Sequence, residues 1–170
     1  MSITIRPATE ADVAGMLEIY NAAILFTTAS YHYNTLTLDD WHTWFAGKQA
    51  GPWPVFVAVD AADAVVGWST YGPFRGAWIG YRYTVEHSVY VAEGLRGQGI
   101  GKQLLQPLID HARGQGMHAL IAGISADNTI SIRLHRAFGF VQVAHFREVG
   151  YKFDRWLDLL FFELLLEAEA

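Results

Sequence analysis

Apolar and polar residues alternate over Ser2 to Arg6, the period of a half-buried strand. The spacing then turns helical, with Val13, Met16, Leu17, Tyr20 and Ile24 on one stripe and Thr9-Glu10-Ala11-Asp12 ahead of it as an N-cap with an acidic first turn. Thr37 to Asp40 repeats the capping pattern before Trp41, Trp44 and Phe45. A second helix is therefore expected, ending near Gly47 to Gly51, with Pro52 and Pro54 as stops. Val55 to Val59 is an unbroken apolar run and reads as a buried strand. Asp60 to Asp63 follows as a hairpin turn and Val65 to Tyr71 as its antiparallel partner. Gly72 to Gly80 reads as a loop, and Tyr81 to Val91 as the longest aromatic and β-branched strand of the chain.

Beyond that strand, Ile100, Leu104, Leu105, Leu108, Ile109 and Ala112 form the stripe of a helix packed on a sheet. Pro107 inside it cannot donate to the Gln103 carbonyl, which predicts a kink or stretched turn. Gly114 and Gly116 end that helix, and His118 to Gly123 is a buried strand. Asn128 to Phe138 is a second amphipathic helix closed by Gly139, and two further strands lie near Phe140 to Arg147 and Leu157 to Leu166. Without internal repeats or a separating linker, residues 1–170 are expected to form a single α+β domain, a mixed sheet with helices on both faces.

Composition narrows the function. At 170 residues with 52% apolar and 14% aromatic content, the chain can bury one sizeable core. A net charge of −5 without a Lys/Arg-rich block argues against non-specific nucleic-acid binding. The absence of cysteine removes disulfides, cysteine nucleophiles and thiolate metal sites, and fits a cytoplasmic protein. No signal-peptide pattern opens the chain. The greasiest stretch, Leu157 to Leu166, carries Asp158 and Glu163 and falls short of the roughly 20 residues of a membrane span, so no membrane partner is expected. Six tryptophans and eight tyrosines are many for one small core and favour an oligomer.

The chemistry centres on Arg96-Gly97-Gln98-Gly99-Ile100-Gly101, which follows the strand residues Val89-Tyr90-Val91 and opens a helix. Glycines without Cβ atoms let successive N–H groups approach one anion, and the helix adds the positive end of its dipole. Arg96 and Lys102 add charge, so the turn reads as a pyrophosphate cradle or, more plainly, as a tight entry to a surface helix. The spacing fits neither G-x-x-x-x-G-K-[ST] nor G-x-G-x-x-G. No histidine has metal-ligand spacing, and Gly123 to Asp127 fails G-x-S-x-G, so neither a metal nor a serine nucleophile is expected.

The order of strand, R-G-Q-G-I-G turn, helix and strand, followed by Asn128-x-x-Ser131-x-x-Leu134-His135-x-x-x-Gly139-Phe140, resembles the GNAT superfamily of acyl-CoA-dependent N-acetyltransferases. Thr84-Val85-Glu86-His87-Ser88-Val89-Tyr90-Val91 and Lys152-Phe153-x-x-Trp156-Leu157-Asp158 narrow the resemblance to phosphinothricin acetyltransferases and their methionine sulfoximine/methionine sulfone relatives. It implies a largely antiparallel sheet of about seven strands, splayed at the fourth to admit the pantetheine arm of acetyl-CoA, and commonly a homodimer.

By the same resemblance, Arg96 to Gly101 hold the pyrophosphate and Val89, Tyr90 and Val91 pair with pantetheine. Asn128 contacts the cofactor arm, or simply caps its helix. Glu86 is the proposed base, either directly or by orienting the ammonium while water takes the proton. His135 stands where the wider superfamily often has tyrosine; it protonates the leaving thiolate, or serves as a cofactor-contacting or structural residue. Arg75 and Arg82 are placed to clamp an acceptor carboxylate, although Pro73-Phe74-Arg75-Gly76-Ala77-Trp78 departs from the usual W-R-x-F form. His87 and Ser88, with Phe26, Thr27 and Thr28, fall at the acceptor pocket. The expected activity is acetyl transfer from acetyl-CoA to the α-amine of a small amino acid or analogue by direct attack in a ternary complex. A non-catalytic acyl-CoA-binding regulatory domain and a peptide or protein N-acetyltransferase are the alternatives.

Overall fold

Hydrogen-bonded caps start the first two helices where the polar pattern places them, in a computed structural model that describes residues 2–76 and 78–166. Met1, Ala77 and residues 167–170 lie outside it, and with them the extreme ends of the expected 1–170 domain. Thr9 N–H donates to the Asp12 carboxylate at 2.7 Å, and one 3-10 turn leads into α1 (Val13–Phe26). Thr37 and Asp40 bond reciprocally, at 3.2 and 3.0 Å, ahead of α2 (Leu38–Gln49). The first strand, β1 (Thr4–Pro7), starts later than its alternation because its partner β2 (Val55–Val59) ends opposite Thr4. β2 turns into β3 (Val65–Pro73), which outruns the expected end at Tyr71 by pairing with β4 (Thr84–Val91).

β4 is shorter than expected because Ile79–Tyr81 form a 3-10 turn, with Tyr81 N–H bonded to the Trp78 carbonyl; Arg82 caps that turn and is not a strand residue. α3 (Ile100–Gly114) runs unbroken through Pro107. Gln103, whose carbonyl loses its donor to the proline, is an exposed residue, so the lost bond falls on the open side of the helix rather than in the core. β5 (Ala119–Ser125), α4 (Thr129–Ala137), β6 (Val141–Lys152) and β7 (Arg155–Leu165) complete the chain.

The seven strands form one sheet in the order β1-β2-β3-β4-β5-β7-β6, antiparallel everywhere except between β4 and β5. Val55, Val57 and Val59 face a core made by α1 and α2, while Ala58 on the other face meets Leu104 and Ile100 of α3. Leu105, Leu108 and Ile109 extend that second layer over Val85, Leu120 and Phe162. Many of the aromatic side chains are spent within the molecule. Tyr20 stacks on Trp41 and Trp68 on Tyr90, each at 4.8 Å, in one cluster under α1 and α2. The aromatic excess therefore argues less for an oligomer than the composition suggests. Trp78 and Trp156 remain 63% and 61% exposed.

One long-range tie fixes the C-terminal hairpin. Lys152, 3% exposed, donates from Nζ to the carbonyls of Thr27 and Ser30, which locks the segment after α1 against the end of β6. Removing the donors leaves both carbonyls to find water. Lys152→Met should cost about 1–3 kcal/mol, read as a lower urea midpoint with an unchanged m-value.

Candidate active site

β4 and β5 pair through only Thr84↔Ala119, Val85↔Leu120 and Glu86↔Ile121, although both strands run on to Val91 and Ser125. Beyond Glu86 they part. The backbone groups of Val89 to Val91 that face β5 therefore have no strand beside them, an edge suited to an extended amide-bearing chain. A cavity of about 740 Å³ fills this opening, bounded by Val89, Tyr90 and Val91, by the turn before α3 and by α4.

That turn supplies the positive end. Gly97 and Gly99 have φ of +80° and +86°, which side chains with a Cβ rarely adopt, and a Cβ at either would meet nothing within 4 Å. Both backbones thus lie bare to the cavity, and the first N–H groups of α3 have no carbonyl behind them in the helix. Arg96, Lys102 and Arg133 also border the cavity. Two residues of the motif turn their side chains away from the cavity. Ile100 is 2% exposed with its side chain in the core, and the Gln98 amide donates to the Gly94 carbonyl at 3.2 Å.

Glu86 stands on the α1/α2 face of β4. Its Oε1 lies 3.3 Å from where a Cβ would sit on Gly123 of β5, and Gly72 is its partner on β3. Two strand positions without side chains thus make room around one carboxylate. The group remains open to solvent, yet its surroundings are close enough that burial raises its pKa above the ordinary carboxylate range. Across Gly72 lies Lys48. Its Nζ sits 3.2 Å from the corresponding Cβ position and donates to the Tyr71 carbonyl at 2.8 Å, and burial pushes its pKa down to about 8. Ser88 and Tyr90 share the Glu86 face by alternation.

His87 does not. Its ring turns to the opposite face, is 6% exposed, and bonds through Nδ1 to the Ile121 carbonyl and through Nε2 to Nε2 of His135, each at 2.9 Å. Strand alternation therefore separates it from Glu86 and Ser88, with which the expected acceptor pocket groups it. His135 reaches it from the last turn of α4, with Nδ1 2.7 Å from the Ser131 carbonyl. A smaller cavity of about 60 Å³ lies where the strands part, touching His87, Ser88, Gly123, Ser125 and His135. Ser125 Oγ is buried there without a hydrogen-bond partner of standard geometry among the described residues.

The remaining expected residues divide. Asn128 caps α4, its Oδ1 accepting from Ser131 N–H at 3.1 Å, and also borders the large cavity. Phe26, 68% exposed, and Thr27 line the same cavity from the end of α1. Arg75 and Arg82 do not border either cavity. Both are exposed on the loop between β3 and β4, the first over Trp78 and the second over Tyr83, at 5.4 and 4.5 Å. A carboxylate clamp is therefore not preassembled there. The sequence also gave no sign of a bridge at the mouth, where Asp127 accepts from Thr28 and from Arg155. Its partners lie far apart in the chain, and no local pattern announces them. Among the described residues no group of three or more His, Asp or Glu side chains is placed to hold a metal.

Comparisons with known proteins show the family and the fold. The model of the acetyltransferase (GNAT) family matches residues 16–140. The L-methionine sulfoximine/L-methionine sulfone acetyltransferase of Pseudomonas aeruginosa is 46% identical over 167 residues, covering 98% of this chain and 96% of that protein. Among solved structures, an N-acetyltransferase from Staphylococcus aureus Mu50 matches with a TM-score of 0.95 at 46% identity, covering 98% of this chain and 100% of that one. A GNAT superfamily phosphinothricin acetyltransferase from Sinorhizobium meliloti, in complex with acetyl-CoA, matches with a TM-score of 0.93 at 34% identity, covering 98% and 93%.

Proposed function

Because the chain belongs to the acetyltransferase (GNAT) family, we propose that it moves the acetyl group of acetyl-CoA to the α-amine of a small amino acid or analogue. Methionine sulfoximine, methionine sulfone and phosphinothricin are the acceptor types, and attack is direct, within a ternary complex. The observation that carries this reading is the parting of β4 and β5. It puts a bare glycine turn at one end of an open strand edge and a carboxylate of raised pKa, Glu86, at the other. The diphosphate of CoA fits the Gly97–Gly101 turn, and its amide-bearing arm fits Val89 to Val91.

Glu86 takes the ammonium proton, directly or through a water, so that the amine is free to attack. His135 stands at the departing sulfur. We assign the protein to the cytoplasm, where acetyl-CoA is supplied. We also assign it a dimeric state through the apolar side chains exposed on β6, Val141, Val143, Phe146 and Val149.

Mixing the purified protein with acetyl-CoA and a panel of amino acids, and following free CoA thiol, tests the reading. Release with one of the three analogues is expected. Acetyl-CoA binding without release for any amine, peptides included, would favour a regulatory acyl-CoA-binding domain; release with peptides alone would overturn the acceptor class. The raised pKa of Glu86 also sets a pH dependence. The base acts only when ionised, so kcat/KM should fall as pH drops through a midpoint above the ordinary value of about 4.3. That acid limb should vanish in Glu86→Gln.

A further inference from the structure

We propose that His87 is a positioning residue that holds His135 as an imidazolium, so that the pair keeps one positive charge on the floor of the opening between β4 and β5. The reasoning is a count of protons. His87 Nδ1 faces the Ile121 carbonyl at 2.9 Å and His135 Nδ1 faces the Ser131 carbonyl at 2.7 Å. A carbonyl only accepts, so both Nδ1 atoms carry hydrogen. The two Nε2 atoms then meet at 2.9 Å, and two lone pairs do not face each other at that distance. A third proton lies between them. Two neutral rings carry two protons, so three make one positive charge.

A neutral arrangement would either leave His87 Nδ1 bare against the Ile121 carbonyl at 2.9 Å or require the Ser131 hydroxyl, 3.3 Å from His135 Nδ1, to donate to that nitrogen. The same nitrogen would then set its lone pair against the Ser131 carbonyl oxygen at 2.7 Å, the shorter contact by far. The charge resides on His135. His87 is wholly enclosed, and burial together with the neighbouring ring pushes its pKa down to about 3, which makes it the neutral acceptor. Burial lowers His135 as well, even with the Ser131 carbonyl raising it; the bare His87 Nε2 and a place in the last turn of α4, near the negative end of the helix dipole, stand against that lowering.

Among the described residues no carboxylate bonds to either ring. Phe140 covers both rings, at 5.4 and 5.0 Å. Glu86 and Glu163, which flank Ile121 on the neighbouring strands, stand on the other face of the sheet. From α4, the guanidinium of Arg136 lies over Phe162, and from α3, His111 is engaged by the Tyr71 hydroxyl. The charge lies beside Ser88 and Ser125 in the narrow end of the opening. This inference rests on the acetyl-transfer reading for its use. As the amine nitrogen bonds to the carbonyl carbon, the C–S bond breaks with its electron pair on sulfur, and the proton between the rings passes to sulfur to give the thiol. The pair is left with two protons and no charge, and the proton shed by the amine, by way of Glu86 and solvent, restores it.

The test reads the free protein, without acetyl-CoA or acceptor, so it stands apart from the acceptor assignment. Long-range 15N–1H spectra of the imidazole rings near pH 7.5, assigned with single His87 and His135 variants, should show both His135 nitrogens protonated and His87 with a bare Nε2. Two neutral rings across pH 6 to 8 would overturn the proposal. His87→Asn keeps an amide to serve the Ile121 carbonyl and deletes the contact with His135. In that variant His135 should lose its second proton at neutral pH and kcat should fall on the order of 10-fold, the scale on which a functional histidine's supporting partner acts. Acetyl-CoA affinity should stay within about twofold. An unchanged kcat and pH profile would equally overturn it.

Discussion

Replacing Glu86 by glutamine should lower kcat by roughly 10²- to 10⁴-fold while leaving the dissociation constant of acetyl-CoA unchanged. The two glycines that clear space around the carboxylate, Gly72 and Gly123, keep it in reach of an incoming amine, and the surroundings that raise its pKa make it a better proton acceptor near neutrality. Glutamine preserves the shape and loses the acceptor charge, so the defect belongs to the chemical step. The substitution should not weaken the fold. A carboxyl whose folded pKa exceeds its unfolded one stabilises less as pH rises through that interval, so at pH 7 the amide should hold or raise the melting temperature. A variant with full activity, or one that has lost acetyl-CoA binding as well, would count against Glu86 as the base.

The second large effect falls on binding. At Gly99, φ is +86° and the backbone faces open space. Valine there pays about 1–2 kcal/mol for the left-handed conformation or flips the turn, and either way its methyl groups occupy the place of the diphosphate. Gly99→Val should weaken acetyl-CoA by on the order of 100-fold, equivalent to ~2.7 kcal/mol, with only a modest loss of melting temperature. Titration calorimetry measures it directly. Acetyl-pantetheine, which lacks the diphosphate, should bind the variant and the parent alike. A variant that loses affinity for both ligands equally would place the damage in the fold rather than in the anion site.

Both predictions concern residues already named from the sequence. The glycine turn stands out because it is written in six successive residues, whereas a lone carboxylate in an apolar strand reads first as an exposed strand residue, and only the family resemblance singles out Glu86. The long-range pairings do not stand out. His87 and His135 are 48 positions apart, and only the end of the β4–β5 ladder brings one ring against the other. Alternation alone would have placed His87 away from Glu86, but a shared motif had grouped them. The turn between β6 and β7 carries no local signal either. Phe153 and Asp154 both adopt positive φ without the glycine or asparagine that usually marks such a hairpin, so the pattern showed two separate strands with a gap. Pro107 does not end its helix, and α3 continues through it to Gly114.

The brief junction of β4 with β5 also bears on how the molecule assembles and opens. β1 to β4 pair strictly with their sequence neighbours, and β5, β6 and β7 form their own antiparallel group. Each half-sheet can be built from nearby chain, and only residues 84–86 meeting 119–121 must wait for the whole. That junction should exchange its amide hydrogens sooner than the centre of either half. A ligand chain lying between the halves would slow exchange on both sides at once, so acetyl-CoA would act as the mortar of the sheet as well as the donor of its acetyl group.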